Sequence, residues 1–224
     1  TPPSIAIFSP ENRTYTTDSV FLNFTIGEVA SWVGYSLDGQ ANVTIGGNTT
    51  LYDLSEGVHS IIVYANDTNG HMGKSNSVYF SVDTISPNIV ILSPENTTYP
   101  ASSVSLTFVV DKATSWIGYS LNGHANVTIS GGTTLIGLPE GLNTILVYAN
   151  DTVGHMGYSD LVYFTVDTTP PSITEVSQTP PENNVLPEDE VKVNATVTDT
   201  LSVVKQVILN YTNGNGTWVN VEMT

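Results

Sequence analysis

Four aspartates, Asp67, Asp83, Asp151 and Asp167, carry the first chemistry this chain offers. Asp67 and Asp151 stand 84 residues apart, as do Asp83 and Asp167. Calcium takes several oxygen ligands, and the ends of acidic modules can gather them, so these four are the calcium candidates. The spacing of an EF-hand loop is absent. The competing and preferred reading is turn capping, in which Asp or Asn bonds its own nearby backbone. Under that reading no cofactor is expected. With no cysteine, disulfides and thiolate metal sites are excluded. His71 and His155 recur before Met-Gly, one per copy, whereas zinc needs three or four converging ligands. His59 becomes Asn143 in the second copy, and a hydrogen bond that closes a loop suits either side chain.

Asparagine offers a second chemistry. Asn-x-Thr occurs at Asn12, Asn23, Asn42, Asn48, Asn66, Asn96, Asn126, Asn150, Asn194, Asn210 and Asn215, and serine never fills the third place. The triplet is the acceptor for N-linked glycans in an exported chain. Threonine favours strands and asparagine favours turns, which would enrich the pair without any sugar. Asn23 and Asn42 are expected on outward faces. Glycans there would cover sheet edges that a lysine-poor chain cannot protect with charge.

Nothing assembles for catalysis. No Gly-x-Ser-x-Gly, phosphate loop or His-Glu-x-x-His is present. Duplicated modules with paired catalytic acids should keep both acids, yet Glu28 aligns with Lys112 and Asp53 with Gly137. Only Glu11, Glu56, Asp67 and Asp83 stay acidic in both copies. The chain is therefore not expected to be an enzyme. Its formal net charge is −16 with only 5 Lys and Arg, which argues against nucleic acid and against an anionic membrane surface. No apolar run is long enough to span a bilayer as a helix.

The elements that would position these residues come in duplicate. Pro3 to Ser86 aligns with Pro87 to Pro170 without a gap. Apolar residues alternate with period two, the mark of half-buried strands. Val20, Leu22, Phe24 and Ile26 share one face; Val33, Tyr35 and Leu37 share another. Asp38-Gly39, answered by Asn122-Gly123, predicts a two-residue type I′ hairpin running into Gln40 to Ile45. Seven short strands per copy predict two packed antiparallel sheets. The expected domains are residues 1–86, residues 87–170 and a different part, 171–224. In that last part Val191 to Val197, Val207 to Tyr211 and Trp218 to Met223 read as strands, with a turn at Asn213 to Gly216. This is half a sandwich, completed either by chain beyond Thr224 or by another chain. The opening Thr1-Pro2-Pro3 is like the junction Thr169-Pro170-Pro171, so the chain reads as a stretch of a longer array.

The hairpin Tyr35-Ser36-Leu37-Asp38-Gly39, the segment Leu54, Gly57, His59, the run Tyr64-Ala65-Asn66-Asp67 and the closing Val82-Asp83-Thr84 resemble immunoglobulin-like modules of prokaryotic, and particularly archaeal, cell-surface and surface-layer proteins. The resemblance covers both full repeats and lacks the cysteine pair of antibody domains. It implies all-β, tandem Greek-key sandwiches in an extended array at the cell surface. The joints at Asp83 to Pro87 and Asp167 to Pro171 hold proline and no flexible linker, so they should be stiff. Three modules in series would span on the order of 100 Å. The leading expectation is a glycosylated extracellular scaffold or stalk whose partners are neighbouring copies or other surface proteins. The alternatives are an adhesin or carbohydrate-binding module using Trp32, Tyr52, Tyr79 and Trp218, and a spacer within a larger surface enzyme. Trp32 and Trp116 either mediate lateral packing or, as preferred, rest on their own sheet beside Gly34 or Gly118.

Overall fold

The computed structural model describes residues 1–212 and 216–223. The turn expected at Asn213 to Gly216 and the triplet at Asn215 fall wholly or partly outside them. The chain divides into two compact units. One comprises Thr1–Asn88, Asp111–Trp116 and Ala149–Gly157; the other comprises Ile89–Val110, Ile117–Tyr148 and Tyr158–Thr224.

The first repeat contains β1 (Ile5–Ser9), β2 (Thr14–Tyr15), β3 (Val20–Ile26), β4 (Ala30–Leu37), β5 (Val43–Thr44), β6 (Thr49–Leu51), β7 (Gly57–Asp67), β8 (Met72–Lys74) and β9 (Val78–Val82). One sheet has the order β1-β3-β6; the other runs β2-β9-β7-β4-β5, with β8 also on β7. All pairs are antiparallel except β2 with β9. The second repeat follows the same plan. Its strands are β10 (Ile89–Ser93), β11 (Thr98–Tyr99), β12 (Ser103–Val110), β13 (Thr114–Leu121), β14 (Val127–Ile129), β15 (Thr133–Ile136), β16 (Gly141–Asp151), β17 (Met156–Tyr158) and β18 (Val162–Val166). They form sheets β10-β12-β15 and β11-β18-β16-β13-β14, with β17 on β16. The fold is all-β, a tandem of immunoglobulin-like two-sheet sandwiches.

Alternation builds the core. Val20, Leu22 and Phe24 point inward from β3 while Phe21 is exposed. They meet Ile61 and Val63 of β7 and Phe80 and Val82 of β9, with Leu51 and Leu54 closing the side. Each such side chain, fully buried, stabilises by roughly 1.5–3 kcal/mol. The central strand keeps its inward row in both copies: His59, Ile61, Val63, Ala65 and Asp67, then Asn143, Ile145, Val147, Ala149 and Asp151.

Each repeat holds nine strands rather than the expected seven. The additions, β2 and β8 with their copies, are two or three residues long, too short to show a period. The Met72-Gly73 step matters here. A Cβ on Gly73 would run into the Pro3 carbonyl, and one on Gly157 into that of Pro87, so glycine lets these backbones close up. The hairpin also differs. Asp38 and Gly39 both have positive φ, 53° and 72°, as a type I′ turn demands, and Asn122 and Gly123 repeat this. The Gln40 N–H closes on the Leu37 carbonyl, yet the ladder resumes at Tyr35 with Val43, one residue out of step. The Ser36 hydroxyl takes the Gln40 carbonyl and absorbs the slip, which leaves β5 only two residues long.

After residue 171, β19 (Ser172–Thr179), β20 (Lys192–Thr198), β21 (Ile208–Thr212) and β22 (Trp218–Glu222) form two ribbons, β19-β20 and β21-β22, with one 3-10 turn at Glu182–Asn184. β19 is an addition to the expected strands. Its Glu175 has φ 53° and lies in the bulge between Thr174 and Ser177, which breaks the period there.

Candidate functional site

The four aspartates do separate work. Asp67 ends β7 and caps the turn that follows: its Oδ1 accepts from the Asn69 and His71 amides at 2.8 and 2.9 Å, and His71 Nδ1 meets its Oδ2 at 2.8 Å. The His71 side chain and amide, with the Asn69 amide, hold the Asp67 carboxyl down at about 2, against a smaller opposing push from burial. Asp151 repeats this with the amides of Val153, Gly154 and His155. Burial pushes its carboxyl up, and those amides together with the His155 ring outweigh it, so the net direction is down. Asp167 spends its Oδ1 on the Thr169 amide and hydroxyl.

Asp83 is brought to Asp151. The two carboxylates and the His155 ring offer ligand atoms within 4.8 Å of one another. A cation from the chain itself sits among them: Lys112 Nζ lies 2.7 Å from Asp83 Oδ1 and 3.5 Å from Asp151 Oδ2, and donates to the Ile85 carbonyl at 2.6 Å. Its bond to Asp83 drives the Lys112 pKa upward, burial opposes, and the fields of both aspartates assist. Three donor residues with an ammonium already among them do not fit calcium, which takes six to eight oxygens. All four residues belong to the same compact unit.

The connector between the repeats is gripped at further points. Both Glu56 carboxylate oxygens accept from the Thr84 amide, at 3.0 and 3.1 Å, and Oε1 also takes the Thr84 hydroxyl. Glu140 does the same to Thr168. The Asn88 amide donates to Asp111 Oδ1 at 2.9 Å. Sequence reasoning missed the roles of Lys112, Glu56 and Asp111. The persistence of acid at 56 and 140 was the available signal for Glu56.

His59 is buried, 4% exposed, and stacks on Phe80 with ring centroids 5.4 Å apart. Its Nδ1 lies 2.7 Å from Asp38 Oδ2 and its Nε2 2.7 Å from the Ser55 carbonyl. Both partners accept, so a ring protonated at both nitrogens suits the two contacts together. Burial lowers its pKa, but the Ser55 carbonyl and the Asp38 carboxylate outweigh that, and the net shift is upward. In the second repeat Asn122 Nδ2 donates to Asn143 Oδ1 at 2.9 Å instead.

The aromatic residues are unequal. Trp32 folds over Gly34, where a Cβ would lie 2.5 Å from the ring, and its Nε1 donates to Thr44 Oγ1 at 3.0 Å. It is therefore no open platform. Tyr52, Tyr79 and Trp218 are exposed. Between the two ribbons of the C-terminal part lies a cavity of about 840 Å³, lined by Val176, Val191, Val193, Leu209, Tyr211 and Val221. Its one carboxylate, Asp189, accepts from the Leu186 amide at 2.8 Å. Among the described residues no helix is long and apolar enough to cross a membrane.

No family model matches the chain. It is 31% identical over 161 residues to halomucin of Haloquadratum walsbyi, which covers 68% of this chain but only 2% of that protein. Among solved structures it is similar to a 1.5-MDa bacterial ice-binding adhesin studied for host cell surface retention, at 13% identity and a TM-score of 0.39, covering 99% of this chain and 96% of that one. It is also similar to the fibronectin(III)-like modules of Clostridium thermocellum CbhA, at 16% identity and a TM-score of 0.34, covering 73% and 94%. These structural likenesses are likenesses of fold alone.

Proposed function

We propose that the chain is a stretch of an extracellular structural array, a stalk, layer or fibre component at the cell surface, and that its product is distance. It is read as two sandwich repeats, 1–86 and 87–170, followed by a different module, with neighbouring copies or other surface proteins as partners. The observation that carries the reading is the gripped connector. Thr84 is held by Glu56, Asp83 and Ile85 by Lys112, and Asn88 by Asp111. A chain whose repeats worked independently would have no use for such a joint. The acidic charge and the relative named halomucin fit an exported protein. No catalytic role, cofactor or nucleic acid belongs to this reading, since the best-placed carboxylates are already engaged with their own fold. Immunogold labelling of intact cells tests it: label outside the envelope is expected, and protein found only in the cytoplasm would overturn it.

A second reading, carbohydrate binding, is favoured by the exposure of Tyr52, Tyr79 and Trp218, at 70%, 57% and 67%. A glycan array distinguishes the two, because a scaffold gives no saturable signal there.

A further inference from the structure

We infer that the eight Asn-x-Thr triplets of the two repeats fall into two classes, glycan carriers at Asn12, Asn42, Asn96 and Asn126, and bare sites at Asn23, Asn48, Asn66 and Asn150. The inference rests on the reading that the chain is an exported glycoprotein, and it adds which amides receive sugar.

An N-linked glycan needs an asparagine amide turned to solvent and free of work in the fold. Nδ2 replaces a lipid phosphate at the anomeric carbon of a lipid-linked oligosaccharide. The C–N bond forms as the C–O bond breaks, the lipid phosphate leaves with the electron pair, and Nδ2 loses one proton. Asn42 and Asn126 are exposed, in unpaired chain just ahead of β5 and β14. Asn12 and its copy Asn96 are exposed in the bend after β1 and β10, where the next residue's amide turns back onto the Glu11 or Glu95 carbonyl. Among the described residues no hydrogen bond employs these four side-chain amides. The same two openings thus recur at the repeat spacing.

The other class is either hydrogen-bonded, as at Asn23 and Asn48, or half-buried in the central strand, as at Asn66 and Asn150. Asn48 Oδ1 accepts the Phe24 amide at 3.0 Å, and its Nδ2 donates to Asn23 Oδ1 at 2.8 Å. It serves the edge of β3 beyond the reach of β6. The second repeat loses both partners together, with Thr107 for Asn23 and Gly132 for Asn48. At Gly132 the backbone instead approaches the Leu106 carbonyl, to which a Cβ would lie at 3.1 Å. Two residues that vanish as a pair have a structural job as a pair. Asn66 lies in the middle strand β7, with Trp32 opposite on one side and Met72 on the other. Its Oδ1, like that of Asn150, is buried and accepts no hydrogen bond, so the oxygen end of the amide is turned into the sheet surface and the residue is half-buried. The triplet at Asn42 shows how sequence and fold become confounded: its Thr44 is also the acceptor for Trp32.

Peptide mapping by mass spectrometry on protein from its native cells is the test. Sugar at Asn12, Asn42, Asn96 and Asn126, with unmodified peptides at Asn23, Asn48, Asn66 and Asn150, is expected. Sugar on Asn23, Asn48, Asn66 or Asn150, or bare Asn42 and Asn126 beside sugar elsewhere, overturns the partition and leaves the glycoprotein reading standing. Absence of sugar everywhere overturns both. As a second measurement in the native host, Asn42→Gln should remove the mass of one glycan and Asn66→Gln none; equal losses would overturn the partition without requiring the peptide map.

Discussion

The His59 ring meets the Asp38 carboxylate at 2.7 Å beneath the Phe80 ring, a pair that is ionic when the ring is protonated and that the second repeat replaces with two neutral amides. The substitution is concerted. Asp38 Oδ1 accepts the Ser60 amide at 2.7 Å, and Asn122 Oδ1 accepts the Thr144 amide at 2.8 Å, so one bond is conserved while the charge is not.

The first repeat should therefore respond to pH and the second should not respond at this site. The His59 pKa is raised above its ordinary 6.5. Its contribution is fully present below about 6.5 and is lost as pH rises through the folded value. Above that value Nε2 turns a lone pair on the Ser55 carbonyl. Loss of one charge-assisted bond costs about 1–2 kcal/mol. Amide hydrogen exchange should show Ser60 and Ile61 losing protection between pH 6 and 9 relative to Thr144 and Ile145. Parallel pH dependence at the two strands would refute the assignment.

The pair is also exchangeable as a unit. Asp38→Asn alone and His59→Asn alone should each destabilise by about 1–2 kcal/mol, because each leaves one partner of a buried bond mismatched. The double variant, reproducing Asn122 and Asn143, should recover most of that loss. Additive losses in thermal melts would show that the two positions do not act together.

Lys112 is the third case. Lys112→Met removes the ammonium and leaves Asp83 and Asp151 facing each other. A cost of about 1 kcal/mol is expected, held down because Lys112 and Asp83 keep a quarter of their side-chain surface in water. Limited proteolysis should then cut faster at residues 84–87. Lys112→Glu, the residue that Glu28 provides in the first repeat, should be worse, and millimolar calcium should restore part of the loss. Indifference of both variants to protease would remove the joint role given to Lys112.

Gly157 tests a contact that no charge contributes to. A Cβ there meets the Pro87 backbone carbonyl, which cannot swing aside as a side chain could. Gly157→Ala should cost about 1–3 kcal/mol by overpacking. Gly131→Ala, where nothing lies within 4 Å and φ is not positive, should be nearly neutral. Equal melting temperatures for the two variants would contradict this.

The strands that carry the core were legible because burial on one face imposes alternation, as at Val20, Leu22 and Phe24 or along His59 to Asp67. The Asp38-Gly39 turn was legible because positive φ restricts the residue type. Its one-residue slip was not, since the Ser36 bond that absorbs it leaves no pattern. Strands β2 and β8 are defined by backbone pairing over two or three residues, below any periodic signal. The Lys112 cluster is assembled from Asp83, Lys112 and Asp151, far apart in the chain, and a lone lysine carries no spacing. Comparing the copies position by position carries site information, because Asp38 with His59, and Asn23 with Asn48, touch in the first repeat and are both replaced in the second.

The short parallel pair β2 with β9 has a mechanical consequence. β2 lies near the start of the repeat and β9 at its end, and the Ser81 and Asp83 amides reach across to the Arg13 and Tyr15 carbonyls at 3.0 and 2.9 Å. Tension applied at the two ends of the repeat drives these strands in opposite directions along their length. Crosswise bonds in that geometry are sheared together instead of peeling one after another, and Thr97 and Tyr99 offer the same grip to Thr165 and Asp167. A strand of only two residues in each repeat is thus placed where rupture would have to begin.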